Sequence, residues 1–483
     1  MKTVISASSI IILLLCFACK KTPTSVIDPL AIDNYITDVM KFHHIPGVAI
    51  GIVKDGALIY EKYLGQASLE TKETVNEKTT FQLFSTTKLI TTVAVFQLIE
   101  EGKIRLEDLI VKHIDDLPVH WQSIKVKHLL THSSGVPDFV RYGDELSDEE
   151  LMALLEKDSM LYEAGDRFRY TQTNYWLLTK LIEKVTLMPF EDFVRINQFR
   201  GEKKSVYFSS NSLEEKENRA TRYFYNNKEE KFLKSTIDNG RRGHSGNGLN
   251  LTLREFIKWN DRLDQNELLL PKTKKEMWSA FNFENKKDDF LYGWANYIIN
   301  QQKSYGFSGG NITGFRKFVD DDLTIVFLSN GSKVAAHDIL INDIARMIIP
   351  SVYKKKPVLE AEVIKLVLSG NYKDAIKKYR TLKEENKEKP LENLRWNING
   401  IGNSFLYSAE GRKAVEVFSV NESVYPEWWV SSASIAEGYE NVKEKDSAVF
   451  YYLKAIRNNV TNEWNYNDEM LKKLKELSPS EKH

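Results

Sequence analysis

The sequence predicts an α/β protein of the α+β kind, in which an antiparallel sheet is flanked by helices and accompanied by a mainly helical subdomain, with an all-helical domain following. Three features predict it. Residues 46–65 read as strand, turn, strand, with Asp55-Gly56 at the hairpin turn. Residues 315–330 read as two further strands around an Asp-rich turn, and a helix follows at 335–349. Beyond Pro350 the pattern is helical and almost free of strand signals. Strands joined by hairpins pair antiparallel. Strand segments lie on both sides of a helical middle, so the sheet should be assembled from both ends of residues 31–350.

The 483 residues exceed what one ordinary core organises. Hydrophobic residues at 42% and charged residues at 28% suit a folded soluble body. A formal net charge of zero gives no general attraction to nucleic acid. The first residues differ in character. Lys2 precedes an apolar run at 4–18, then Cys19, Lys20 and Lys21. The run is too short for a spanning helix and reads as a signal peptide over residues 1–18. Its end, CFAC, resembles a bacterial lipoprotein signal with Cys19 as the lipidated residue, although Cys16 stands where an aliphatic residue is usual. Cleavage before Cys19 leaves one cysteine, which removes intrachain disulfides, thiolate catalysis and cysteine-based metal sites together. Residues 19–30 then form a tether.

The elements follow in order. Apolar residues recur at helical spacing from Ile32 to Phe42, with Ile36, Val39 and Met40 on one side. After the hairpin, residues 84–101 form the most apolar soluble segment and predict a buried helix stopped by Gly102. A second helical run covers 124–132 and stops before Ser133-Ser134-Gly135; a third covers 173–188. At 252–264, Thr252 followed by Glu255 gives a capping-box pattern. Residues 351–357, with Lys354 to Lys356 before Pro357, read as a linker. In residues 358–483, similar helical stretches are anchored by Ala375, Ala414 and Ala448, which stand 39 and 34 residues apart. A 34-residue period of helix pairs is the tetratricopeptide spacing, and small residues let paired helices approach closely.

Ser85-Thr86-Thr87-Lys88 carries the first chemistry. If the helix starts near Ser85, the serine and Lys88 stand one turn apart, and the amine comes within proton-transfer reach of the hydroxyl. The apolar surroundings lower the lysine pKa and make its basic form accessible. A helix N-terminus also offers unpaired amides to a developing oxyanion. Spacing alone is a weak signal, because a serine cap with an ordinary lysine gives the same letters.

The context is more specific. FQLFSTTKLITTVAVFQLIEEGKIRLED resembles the nucleophile segment of the serine beta-lactamase and penicillin-binding-protein superfamily. Within it, the segment is most similar to the class-C-like branch of esterases, D-aminopeptidases and D-alanyl-D-alanine carboxypeptidases. Residues 124–139 resemble a further signature in which His132 and Gly135 match, and there the histidine is structural. YTQ from Tyr170 resembles the family's tyrosine-x-asparagine motif, with Gln172 in place of asparagine. The resemblance makes Tyr170 a proton-transfer residue whose phenol is lowered by the Lys88 ammonium. Residues 305–318 resemble the strand that normally carries lysine or histidine, then x-glycine. Here Phe307 takes the cationic position, followed by Ser308, Gly309 and Gly310. Residues 245–263, and Tyr292 to Trp294, match two further segments in the expected order. The resemblance thus implies a beta-lactamase/transpeptidase-like fold over 31–350. The helical tail is similar to tetratricopeptide extensions seen in this branch.

These residues point to an exported serine hydrolase of the bacterial envelope, anchored to the membrane by lipid on Cys19 and acting on a small ester, amide or peptide. Ser85 would be acylated, Lys88 and Tyr170 would move the proton, and the Ser85 and Gly310 amides would hold the oxyanion. Gln172, Phe307, Ser308 and Gly309 would touch substrate. No cofactor or metal is expected; the nine histidines form neither HExxH nor HxxEH. The competing reading is a catalytically impaired protein of the same fold that binds peptidoglycan or peptide fragments, or a D-alanyl-D-alanine carboxypeptidase or beta-lactamase. In either reading the helical repeats offer a protein partner a docking surface.

Overall fold

The computed structural model describes residues 27–477, apart from 144, 227–228, 287–289, 300–301, 311, 333–336, 350–357, 388–390, 408–409 and 464–465. The expected signal peptide, Cys19 and the linker at 351–357 therefore lie outside the described residues.

Helix α1 (Pro29–His43) starts behind Asp28, whose carboxylate accepts from the Leu30 and Ala31 amides. It buries Ile32, Ile36 and Val39, a helical stripe. Strands β1 (Gly47–Lys54) and β2 (Ala57–Gly65) form the expected hairpin. Asp55 and Gly56 both have positive φ, 51° and 72°, as a two-residue turn of this hand requires. Strand β3 (Thr80–Gln82) leads to α2 (Thr87–Glu100), in which Thr87 to Phe96 is buried on every side. The middle of the chain holds α3 (Val126–Leu130), α4 (Asp148–Lys157), α5 (Thr173–Thr186) and α6 (Phe190–Phe199). Strands β4 (Val206–Phe208), β5 (Tyr223–Asn226) and β6 (Lys231–Lys234) follow, then α7 (His244–Asn247) and β7 (Leu249–Thr252). In α8 (Leu253–Asp264) the Thr252 hydroxyl accepts from the Glu255 amide, which is one half of the expected capping box.

After α9 (Pro271–Met277) the chain returns to the sheet through β8 (Ala295–Ile299), β9 (Gln302–Gly309), β10 (Thr313–Phe318), β11 (Leu323–Ser329) and β12 (Gly331–Ser332). Helix α10 (His337–Ile348) closes it. The main sheet has the order β2-β1-β11-β10-β9-β8 and is antiparallel throughout. Val48 pairs with Ser329, so the two ends of the domain meet at its centre, as expected. Val326 and Leu328 enter the larger core against α2, α5 and α8. Ile325 and Phe327 enter a second core against α1 and α10. With both faces covered, β1 and β11 read as continuous apolar runs. Two small sheets, β3-β7-β4 and β12-β5-β6, were not read from the sequence, since their strands are two to four residues long.

The tail comprises α11 (Glu360–Leu368), α12 (Tyr372–Glu385), α13 (Glu392–Tyr407), α14 (Gly411–Val424), α15 (Trp429–Asn441), α16 (Lys445–Asn458) and α17 (Tyr466–Leu477). Ala375, Ala414 and Ala448 lie on α12, α14 and α16 and are fully buried. Ile339 of α10 shares a core with the first tail helices, so the tail packs on the sheet domain.

Candidate active site

The chain leaves β3 through Leu83 and turns sharply at Phe84, a non-glycine residue at φ 48°. Such a conformation costs on the order of 1–3 kcal/mol and persists only where the surroundings hold it. Here the Arg222 guanidinium lies 4.3 Å from the centre of the Phe84 ring. Gly310 leaves room on another side, where a Cβ would stand 2.8 Å from Phe84 Cγ. Ser85 follows in a short 3₁₀ turn, two residues before the α-helix proper. Its Oγ lies 2.7 Å from the Tyr170 hydroxyl, and the Tyr170 side reaches solvent at 36% exposure.

Lys88, in the first turn of α2, is fully buried. Its Nζ donates to Gln172 Oε1 at 3.0 Å and to the Gly246 carbonyl at 2.9 Å, rather than to Ser85. It also lies 4.8 and 4.9 Å from the ring centres of Tyr170 and Tyr175. Burial pulls the amine down to about 7, against the opposing pull of Asp138. Near neutrality a large share of the amine is thus unprotonated. The expectation for Tyr170 is reversed. Burial pushes its phenol well above the ordinary value, and the hydrogen bonds with Ser85 and Gln172 only partly offset this. A lysine held near 7 supplies no permanent ammonium to lower the phenol.

Gln172, the departure from asparagine, uses its amide oxygen on Lys88. A Cβ at Gly246 would stand 2.8 Å from that oxygen and 3.2 Å from Lys88 Nζ, so any larger residue would push these side-chain ends aside. Sequence reading missed Gly246 and Asp138. Asp138 accepts from the Gln172 amide through both oxygens, at 3.1 and 3.2 Å, and so fixes the segment carrying Tyr170. Its signal was the acidic residue three positions after Gly135. His132 is fully buried and held neutral, well below the ordinary histidine range, by burial. It packs 4.5 Å from the Tyr170 ring and pairs with the Thr171 amide and the Asn174 side chain, a structural place.

Strand β9 runs past this cluster. Phe307 is nearly buried, with its ring 6.3 Å from that of Tyr170 at 30°, and edge-on to Phe290. Ser308 does not join it. Successive strand residues face opposite sides, and the Ser308 hydroxyl donates to Asp338 of α10, so that side chain, expected to touch substrate, lies on the face away from Phe307. Gly309 abuts the nucleophile turn, where a Cβ would stand 2.1 Å from the Leu83 carbonyl and 2.9 Å from the Ser85 nitrogen. Gly310 takes φ 56° immediately beyond.

Protein flp of Staphylococcus aureus (strain MW2) is 27% identical over 172 residues, which cover 34% of each chain. The match thus spans about a third of that relative's length. Penicillin-binding protein 4* of Bacillus subtilis (strain 168) is 22% identical over 312 residues, 60% of this chain and 68% of its own. Among solved structures, the octameric penicillin-binding protein homologue from Pyrococcus abyssi superposes with a TM-score of 0.59 at 23% identity. That match covers 70% of this chain and 82% of that one, and it shows a shared fold. Residues 32–346, from α1 to within two residues of the end of α10, match the family model described as Beta-lactamase; this is well over half of the chain, which belongs to that family.

Proposed function

We propose that the protein is a serine hydrolase that cleaves an uncharged ester or amide through an acyl-enzyme on Ser85. The observation that carries this reading is the 2.7 Å Ser85–Tyr170 contact beside a buried amine held at about 7. Ser85 Oγ attacks the carbonyl carbon while its proton moves to Tyr170 and the phenolic proton moves to Lys88. The Ser85 and Gly310 amides receive the oxyanion. The proton then returns through Tyr170 to the leaving group as the bond to it breaks. Water attacks the acyl-enzyme by the same route, and Ser85 is restored.

Phe307 sets the substrate class. An aromatic ring gives a carboxylate no partner, and stripping water from an unpaired charge is costly. The same ring gains from covering an uncharged acyl chain. A second reading, in which the site processes or merely holds a peptide with a terminal carboxylate, is favoured by the penicillin-binding names of the relatives. Matched substrates, one carboxylate and one methyl ester, separate the two. The first reading expects a higher kcat/KM for the ester and weak hydrolysis of penicillin-type lactams. Phe307→His should shift the ratio toward the carboxylate. A wild-type preference for the carboxylate, or an unchanged ratio in the variant, places Phe307 outside the acyl pocket. We further propose that Cys19 is the acylated first residue of an envelope lipoprotein, and that the tail is of tetratricopeptide type and docks a protein. The mass of the native N-terminus tests the anchor; any other starting residue, unmodified, refutes it.

A further inference from the structure

A chain of buried polar groups leads from the active-site strand into the helical tail. On the face of β9 opposite Phe307, the Ser308 hydroxyl donates to Asp338 Oδ1. Arg316 of β10, fully buried, donates to the same oxygen at 2.7 Å and to Asn342 Oδ1 at 2.8 Å. The Asn342 amide donates to Glu360 Oε2 at 3.3 Å. Glu360 opens the tail, and its other oxygen accepts from Arg346 at 3.0 Å. Arg346 also donates to Asp343, which accepts in turn from the Tyr35 hydroxyl of α1 and from the Glu360 and Ala361 amides. Arg316, Asn342, Asp343, Arg346 and Glu360 are each at most 5% exposed.

Such a chain does more than join two domains. Each member occupies a partner that the next member would otherwise leave unsatisfied, and in a low-dielectric interior a vacated partner is expensive. Arg316 also lies 3.4 Å from the Tyr297 ring of β8, so it grips the strands on both sides of β9. Two residues before Gly310 and next to Phe307, Ser308 is the point where this grip reaches the catalytic strand. A shift of β9 moves Gly309 against the Ser85 turn, where no free space remains.

We propose that Ser308, Asp338, Arg316 and Asn342 are positioning residues through which the first tail helix, by Glu360, sets the pose of β9 beside Ser85. The tail is then a working part of the catalytic unit. This rests on Ser85 being the nucleophile, and the test keeps the two claims apart. Asn342→Leu cuts the chain at its middle while leaving the Arg316–Asp338 and Arg346–Glu360 pairs in place. In the full-length protein, hydrogen exchange across residues 302–309 should rise about tenfold in Asn342→Leu and in Ser308→Ala, with exchange of α2 unchanged. That readout needs no activity. Acylation by a fluorophosphonate should slow about tenfold in each variant, and the double variant should be no slower than the worse single one. Glu362→Gln, in the same tail helix but paired at the surface with Lys378, should match wild type in both measurements. Should Asn342→Leu not fold, Asn342→Ala, which removes the same two side-chain bonds without adding bulk, takes its place with the same expectations. Unchanged exchange across β9, or strictly additive slowing, overturns the relay. Faster exchange across β9 in the variants, in a protein whose wild type never labels, leaves the relay standing and removes the hydrolase reading instead.

Discussion

In the proposed mechanism Lys88 and Tyr170 divide the proton chemistry differently from what their letters suggest. The sequence carried Ser85, Lys88, Tyr170 and Phe307 in recognisable order, and the fold gathers them. It could not carry the direction of the Tyr170 shift, because the rings packed beside it, His132 and Phe307, come from two other segments of the chain. Asp138 was illegible for a related reason, since its effect runs through the backbone amide of Gln172. The consequence is testable by pH. In the proposed mechanism only neutral Lys88 takes up the phenolic proton that the Ser85 proton replaces, and its folded pKa is lowered to about 7. Acylation rate should therefore rise with pH through a single limb near 7 and level off above it. Tyr170 should add no limb below pH 9, since its phenol is raised. Lys88→Ala should abolish the limb and cost at least about a hundredfold in rate. A flat profile from pH 5 to 9 contradicts the assignment of the base. Asp138→Ala should lower kcat with little effect on KM, because the carboxylate positions Tyr170 without reaching substrate.

Among the elements, long and strongly patterned ones were legible: α1, the β1–β2 hairpin, the β10–β11 pair and α10 all lie within a few residues of expectation. Short ones were not, because a two-residue β12 or a three-residue β4 has no periodicity to read. The nucleophile turn illustrates the same limit. The helix was expected to begin at 84, but Phe84 turns left-handed and Ser85 sits in a separate 3₁₀ turn. That departure is enforced by β9, whose end packs against the turn. Gly309→Ala should therefore push the strand from Ser85. Its Cβ would overlap the Leu83 carbonyl, backbone that cannot step aside. The expected result is a loss of labelling of at least about tenfold with near-wild-type circular dichroism, and a smaller loss of thermal stability than a core truncation gives. Full activity in this variant means that β9 and the turn are not in contact.

In the whole molecule, the sheet domain and the tail were separable in the sequence by composition, but their junction was not. Arg346, Asp343 and Glu360 are unremarkable as letters and become a buried cluster only when α10 meets α11. Glu360 is held above the ordinary carboxylate range by burial, against the pull of Arg346. A carboxyl raised in the folded state keeps a proton that the unfolded chain has already released. The unfolded state then binds fewer protons, and stability falls as pH rises from the unfolded value near 4.5 toward neutrality. Denaturant unfolding between pH 4.5 and 8 should show that decline, and Glu360→Gln should flatten it. An equal slope in the variant would locate the titration elsewhere. On the proposed function, the assembly serves one reaction at one atom. Fluorophosphonate treatment of the full-length protein, followed by peptide mass spectrometry, tests this most directly. The account predicts one adduct per chain, on Ser85, with no adduct and an intact fold in Ser85→Ala; labelling at another residue, or undiminished labelling of Ser85→Ala, would contradict it.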